Sequence, residues 1–122
     1  MKVGVVGLWH LGSVTAACLA QAGFDVLAFD PDHAVIDSLQ QNRAPLFEPG
    51  LNDLILSGTQ HNRLHFTHDR QALSDTDLIW ITFDTPVDDH DVADVEKVIT
   101  EVHGILPYLK NATTLLISSQ LP

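Results

Sequence analysis

The chain is poor in cysteine and has no long apolar segment. Its 122 residues contain a single cysteine, Cys18, which excludes an internal disulfide framework and is typical of the reducing cytoplasm. We expect Cys18 to lie on the packed face of a helix rather than to act as a catalytic thiol. No apolar run approaches the roughly 18 residues of a membrane-spanning helix, and the N-terminus has no signal-peptide cleavage pattern. We therefore expect a cytoplasmic protein without a membrane partner.

Basic residues are also scarce. Six lysines and arginines oppose 16 aspartates and glutamates, which gives a net charge of −10. Such a surface repels the phosphates of nucleic acids and the headgroups of anionic membranes, so neither is expected as a partner. A phosphorylated small ligand would also be repelled at long range. Its site therefore has to offer local donors, such as the backbone N–H groups at the start of a helix.

The most informative segment that is present is a glycine-containing turn after the apolar residues 3–6. Residues 7–12 read Gly-Leu-Trp-His-Leu-Gly, which is the dinucleotide-binding pattern G-x-G-x-x-G with Trp9 in place of the middle glycine. Gly7 would make the tight turn, and Gly12 would let helix and strand pack closely. Trp9 admits two interpretations. Its ring turns outward and leaves the turn amides free, or it blocks the pyrophosphate and weakens or abolishes binding.

An aspartate follows at the position that such a turn requires. Asp30 ends a second apolar run, residues 24–29, and lies 23 residues after Gly7 (30 − 7). This separation is expected of a carboxylate that binds the adenosine ribose, and its charge would repel a 2′-phosphate, which favours NAD over NADP. In the alternative interpretation, residues 30–32 are only a turn, with Asp32 as the N-cap of the next helix.

Strand and helix patterns alternate along the chain. This order predicts an α/β fold: a Rossmann-like, doubly wound parallel sheet in a single three-layer domain. Asn42 is predicted to end the second helix in the left-handed conformation, and Gly104 and Pro107 are predicted to break the last helix. The predicted strands are 2–7, 25–30, 64–67, 77–83 and 113–117, and the predicted helices are 11–22, 32–41, 51–56, 69–73 and 92–103.

Five short motifs occur in a particular order. They are the turn at residues 7–12, Asp30, the Pro-Leu-Phe-Glu-Pro-Gly-Leu segment at 45–51, Thr85-Pro86, and Ser-Ser-Gln at 118–120. In this order the chain resembles the amino-terminal NAD-binding domain of the UDP-glucose/GDP-mannose dehydrogenase family, whose motifs are G-L-G-Y-V-G, Asp, P-x-x-E-P-G-L, T-P and S-T-V. The P-x-x-E-P-G-L segment is the most specific of them, because ordinary Rossmann domains lack it. The resemblance spans nearly all 122 residues.

The resemblance implies NAD as cofactor and a parent enzyme that oxidises the 6-hydroxyl of a UDP- or GDP-sugar to a carboxylate in two NAD-dependent steps. In the family, the catalytic cysteine that traps the aldehyde and the sugar-binding domain follow the first domain. Residues 1–122 are therefore expected to be the NAD-binding domain alone. The catalytic and sugar-binding domains are absent from it, it carries no catalytic residue, and it is an inactive fragment by itself. Homo-oligomers are expected only with the missing domains.

The resemblance also assigns a cofactor site by position. It places the amides of His10 and Leu11 at the pyrophosphate and Asp30 at the adenosine ribose. It places Thr85, Pro86 and Ser119 along the nicotinamide side, with Ser119 standing where the family has threonine. Val35 stands where many members have a lysine or arginine. The full predicted set is Gly7, Trp9, His10, Leu11, Gly12, Asp30, Thr85, Pro86 and Ser119.

Two other clusters contain side chains that could bind a metal ion. The spacing of His61, His65 and His68 suits a transition metal, but a strand through His65 would not place all three on one face. The second cluster is a loop with five aspartates. It lacks the glycine and the terminal glutamate of a calcium-binding loop, so we interpret its aspartates as solvated surface residues. No metal site is therefore predicted. The aspartates of that loop are Asp84, Asp88, Asp89, Asp91 and Asp94.

Two further functions stay open beside the one that the resemblance implies. The first is the N-terminal domain of a β-hydroxyacid dehydrogenase of the 6-phosphogluconate type, which the Glu-Pro-Gly-Leu segment at residues 48–51 disfavours. The second is a non-catalytic Rossmann module that binds NAD weakly or not at all because of Trp9. A catalytic cysteine motif beyond residue 122 would favour the nucleotide-sugar dehydrogenase over both.

Overall fold

A five-stranded parallel sheet forms the centre of the structure. The computed structural model describes residues 2–44, 49–82, 95–109 and 113–117. Within these ranges the strands lie in the order β3-β2-β1-β4-β5, and every neighbouring pair is parallel. The strands are β1 Lys2–Val6, β2 Asp25–Phe29, β3 Leu64–Thr67, β4 Leu78–Ile81 and β5 Thr114–Ile117. The α-helices are α1 His10–Gln21, α2 His33–Gln40, α3 Leu51–Gln60 and α4 Val95–Ile105, and 3₁₀ turns cover Arg70–Asp75 and Leu106–Tyr108.

Helices cover both faces of this sheet. Successive side chains of a strand point to opposite faces, so Val3 and Val5 of β1 pack with α1, α2 and α3, whereas Val6 packs with Ile105 at the end of α4. Both faces of β1 are buried, which is why its sequence is a continuous apolar run rather than an alternating one. The predicted three-layer, doubly wound α/β fold is confirmed. No helix in the described part of the chain is long and apolar enough to cross a membrane.

Local signals located most element ends correctly. The Asp32 side chain accepts a hydrogen bond from the Ala34 N–H and caps α2, as predicted. Asn42 ends α2 with φ of 63°, in the predicted left-handed conformation. Gly23 follows α1 with φ of 103°. Each of these signals is a conformational preference of one or two residues, so the sequence alone reveals it.

Three expectations were wrong in detail. Helix α3 continues to Gln60 instead of ending at residue 56. Gly58, near its end, lies against Leu64, and a Cβ there would come within 2.9 Å of the Leu64 Cβ. Helix α4 continues through Gly104 because it buries Ile105 completely. Cys18 is exposed, since the packed face of α1 is formed by its alanines at 16, 17 and 20.

Candidate functional site

The turn between β1 and α1 requires both of its glycines. Gly7 has φ of 96°, a conformation that residues with side chains rarely adopt. A Cβ on Gly12 would lie 1.7 Å from the carbonyl oxygen of Gly7, so only glycine lets α1 start this close to the turn. Strand β1 lies between β2 and β4, and its carboxyl end therefore places this turn in the middle of one sheet edge. Ligands of open α/β sheets bind at this edge.

Trp9 occupies the N-cap position of α1. Its φ is −71°, so the left-handed conformation that would penalise a tryptophan is not needed here. The side chain is 44% exposed. An exposed ring is what the outward-turned interpretation requires, while the effect of Trp9 on ligand binding stays a prediction.

The first turn of α1 contains the two residues whose amides are expected at the pyrophosphate. His10 and Leu11 are the first two residues of the helix, and the Ser13 N–H is bonded to the Trp9 carbonyl oxygen. N–H groups of a first helical turn have no partner within the helix, and they point out of its N-terminus with partial positive charge. No side chain caps this helix at Trp9. The arrangement provides local donors despite the overall negative charge of the protein.

Asp30 makes direct contact with the turn. Its Oδ2 accepts a hydrogen bond of 2.8 Å from the Leu8 N–H, and its Oδ1 accepts one of 2.9 Å from the Asp32 N–H. The residue is 9% exposed. The two interpretations of residues 30–32 are therefore compatible, because Asp32 caps α2 while the Asp30 carboxylate lies against the glycine turn. The predicted ribose acid and the predicted pyrophosphate turn are brought together.

Two buried hydroxyl groups also contact the turn, and the sequence analysis missed both. Ser13 donates from Oγ to the Leu8 carbonyl oxygen at 2.7 Å. Thr82 donates from Oγ1 to the Gly7 carbonyl oxygen at 2.7 Å and lies 3.1 Å from that of Val6. Ser13 is 1% and Thr82 0% exposed. Each is a hydroxyl residue in apolar surroundings along the sequence. Ser13 follows Gly12 directly, and Thr82 follows the last residue of β4 directly.

Several predicted residues lie outside the described part of the chain. Thr85, Pro86 and Ser119 are among them, as are residues 45–48 of the proline-rich segment and the five aspartates of the acidic loop. The end of that segment is described: Gly50 has φ of 80° and precedes α3, and Leu51 is buried against the core. The strands that precede Thr85 and Ser119, β4 and β5, run parallel to β1.

The three histidines of the possible metal cluster are distributed along β3. His61 precedes the strand, and its Nδ1 lies 2.7 Å from the Ser57 carbonyl oxygen. His65 is within β3, and His68 follows it and stacks on His33 with ring centroids 3.8 Å apart. Four strand residues span about 13 Å, so the two ends of β3 are far apart on the scale of a metal site. Among the described residues, no three metal-ligating side chains converge.

Comparison with known proteins gives a consistent result. Residues 1–122 match the family described as "UDP-glucose/GDP-mannose dehydrogenase family, NAD binding domain". The chain is 33% identical to the UDP-glucose 6-dehydrogenase of Rhizobium meliloti, covering all of this chain and 28% of that protein. It is also 33% identical to the GDP-mannose 6-dehydrogenase of Pseudomonas aeruginosa, covering all of this chain and 29% of that protein.

A solved structure extends this likeness to the fold. A ternary complex of GDP-mannose dehydrogenase from Pseudomonas aeruginosa superposes with a TM-score of 0.90 at 30% identity, and the match covers 99% of this chain and 29% of that one. The chain thus spans somewhat more than a quarter of the length of the relatives that it matches.

Proposed function

Because the chain belongs to the UDP-glucose/GDP-mannose dehydrogenase family, as its NAD binding domain, we propose that it holds NAD for the oxidation of a sugar nucleotide. In the parent enzyme, a primary alcohol of a UDP- or GDP-sugar is converted to a carboxylate. The cofactor of this domain family is NAD. The observation that supports the assignment to particular residues is the 2.8 Å hydrogen bond from the Leu8 N–H to the Asp30 carboxylate, which connects the glycine turn with the proposed ribose acid.

The described residues fit this cofactor. The amides of His10 and Leu11 would donate to the pyrophosphate, and the close approach at Gly7 and Gly12 leaves the backbone accessible to it. Asp30 would accept from the adenosine ribose hydroxyls, and its charge disfavours a 2′-phosphate. Thr85, Pro86 and Ser119 are proposed along the nicotinamide side. When bound, NAD supplies the hydride acceptor, and the chain's own residues bind and orient it.

The whole catalytic cycle needs more than these residues. We assign no catalytic residue to residues 1–122, which act as one NAD-binding domain. The covalent step implied for the family needs a cysteine thiolate, and Cys18, on the exposed surface of α1, is not proposed for it. The thiolate and the sugar site would come from other parts of the parent protein. A cytoplasmic location, expected from the use of one cysteine, stays a prediction.

The residue at the N-cap of α1 favours a second candidate function. Trp9 is the N-cap of α1 and replaces the middle glycine of the motif. That glycine lets the backbone approach the pyrophosphate closely. If the indole competes with the pyrophosphate, the chain is a Rossmann module with weak or no NAD binding. Its fold would be unchanged, because Trp9 is 44% exposed and does not form part of the core.

A titration with NADH, followed by the fluorescence of its dihydronicotinamide ring, separates the two functions. We expect saturable binding by the wild-type chain and a loss of about tenfold or more in Asp30→Ala, since a buried carboxylate contact is removed. Asp37→Ala is the matched control, because Asp37 is an exposed aspartate of α2 and its loss changes the net charge equally. Binding only after Trp9→Gly would establish the non-binding module. Equal affinities of Asp30→Ala and Asp37→Ala would contradict the ribose assignment.

A further inference from the structure

Three consecutive carbonyl groups at the start of the glycine turn accept hydrogen bonds from buried residues. The Val6 carbonyl oxygen accepts from the Thr82 N–H at 2.8 Å, and that of Gly7 accepts from the Thr82 hydroxyl at 2.7 Å. The Leu8 carbonyl oxygen accepts from the Ser13 hydroxyl at 2.7 Å. Three consecutive carbonyls are thus held by only two residues. The second and third of them depend on side-chain hydroxyls.

The direction of these carbonyls matters for an anionic ligand. A peptide group carries its N–H and C=O on opposite sides, so a turn that presents N–H groups to a phosphate has to turn its carbonyls away. A carbonyl that loses its buried donor is left unsatisfied and gains by rotating toward water. Rotation of the Gly7–Leu8 peptide would withdraw the Leu8 N–H from Asp30, and rotation of the Leu8–Trp9 peptide would turn its carbonyl toward the start of α1, where the pyrophosphate is expected.

Neither hydroxyl is placed to touch a ligand. Ser13 and Thr82 are 1% and 0% exposed, and each hydroxyl is engaged with a carbonyl of the turn. Thr82 also lies 2.7 Å from the point that a Cβ of Gly12 would occupy, so it fills the space that this glycine leaves open. Ser13 also contacts the N-cap of α1, because its N–H donates to the Trp9 carbonyl oxygen.

We propose that Ser13 and Thr82 are positioning residues of the NAD site. Their hydroxyls hold the Leu8 and Gly7 carbonyls inward, so that the Leu8 N–H stays on Asp30 and the opposite side of the Leu8–Trp9 peptide faces the start of α1, where the pyrophosphate is expected. This inference rests on the proposed function. It assigns to two buried hydroxyls a selective effect on ligands that contain a pyrophosphate, which a purely structural role would not produce.

The test compares two ligands across matched variants of the full chain. Thr82→Val removes the hydroxyl at nearly constant volume, and Thr82→Ser restores it. Thr76→Val is the control, because Thr76 is equally buried and its hydroxyl donates to the Leu73 carbonyl oxygen at 2.7 Å, away from the turn. Dissociation constants for ADP-ribose and for adenosine are measured by titration calorimetry or NMR, with the thermal midpoint recorded for each variant.

We expect Thr82→Val to weaken ADP-ribose binding about tenfold and adenosine binding by a smaller factor, because adenosine lacks the pyrophosphate and loses only the support that the Leu8 N–H gives to Asp30. Thr82→Ser should recover most of the affinity, and Thr76→Val should lower the thermal midpoint without this selectivity. Ser13→Ala should cause the same selective loss of ADP-ribose affinity, because it frees the Leu8 carbonyl. This variant tests the positioning role if Thr82→Val does not fold.

Two results would overturn the inference. An unchanged affinity of Thr82→Val or Ser13→Ala for ADP-ribose, beside normal wild-type binding, would refute the positioning role and leave the proposed function intact. An equal loss for adenosine and ADP-ribose would show a general effect on folding instead. Failure of the wild-type chain to bind ADP-ribose or NAD would refute the proposed function itself, and the inference with it.

Discussion

The substitution Gly12→Ala tests the geometry on which the whole site depends. Alanine at this position would place its Cβ 1.7 Å from the Gly7 carbonyl oxygen, whereas real Cβ atoms essentially never come closer than 3.0 Å to such an atom. The start of α1 or the turn therefore has to move by at least 1.3 Å (3.0 − 1.7). Both sides of this contact are backbone, so no flexible side chain can relieve it.

The energetic consequence follows from that displacement. Overpacking usually costs about 1–3 kcal/mol, and a contact between backbone groups is at the upper end of this range. A shift of this size would also lengthen the 2.7 Å bond between the Ser13 hydroxyl and the Leu8 carbonyl oxygen beyond hydrogen-bond distance. We therefore expect Gly12→Ala to lower the free energy of unfolding by about 3 kcal/mol or more.

A second helical glycine provides the matched control. A Cβ on Gly104 in α4 would meet Arg70 Nε at 3.7 Å, which is an ordinary contact. Alanine is the better helix former by about 0.5–1 kcal/mol, so Gly104→Ala should leave the protein equally stable or stabilise it by up to that amount. Urea denaturation measures both changes. Equal stability of Gly12→Ala and wild type, or equal losses in the two variants, would refute the geometry of the turn.

The remaining predictions concern the two aspartates after β2. Asp30→Ala should lower the free energy of unfolding by about 2–4 kcal/mol, because the N–H groups of Leu8 and Asp32 lose their acceptors. Asp37→Ala should change it by less than about 0.5 kcal/mol. Asp32→Ala should cost about 1 kcal/mol through loss of the α2 cap at the Ala34 N–H, without a selective effect on NAD affinity. Urea denaturation checks all three. A loss below about 0.5 kcal/mol in Asp30→Ala would contradict its buried contacts.

Features that depend on a few neighbouring residues could be predicted. The left-handed residues Gly7 and Asn42 and the cap Asp32 follow from the conformational preferences of single side chains. The apolar runs at residues 3–6 and 26–29 follow from burial of both faces of a parallel strand. Such signals identified the fold, and the assignment of six described residues to the cofactor site stays a prediction.

Features that depend on distant parts of the chain could not be predicted. The predicted helix ends at residue 56, yet α3 continues to Gln60, and Gly58 within it packs against Leu64. Cys18 was placed on the wrong face of α1 because the helix is apolar almost all round, and its small alanines leave the packed side undetermined. In both cases the packing of the helix against the rest of the fold decides the outcome.

The sequence by itself determined the turn chemistry, the helix caps, the alternation of strands and helices, and the family. Each signal behind these inferences, including each family motif, lies within a few neighbouring residues. Only the tertiary structure decided the strand order β3-β2-β1-β4-β5 and the contacts that it creates at the carboxyl edge of the sheet. The Asp30–Leu8 bond joins residues 22 apart, and the Thr82–Gly7 bond joins residues 75 apart. Such contacts depend on how β1 packs between β2 and β4, which no local preference encodes.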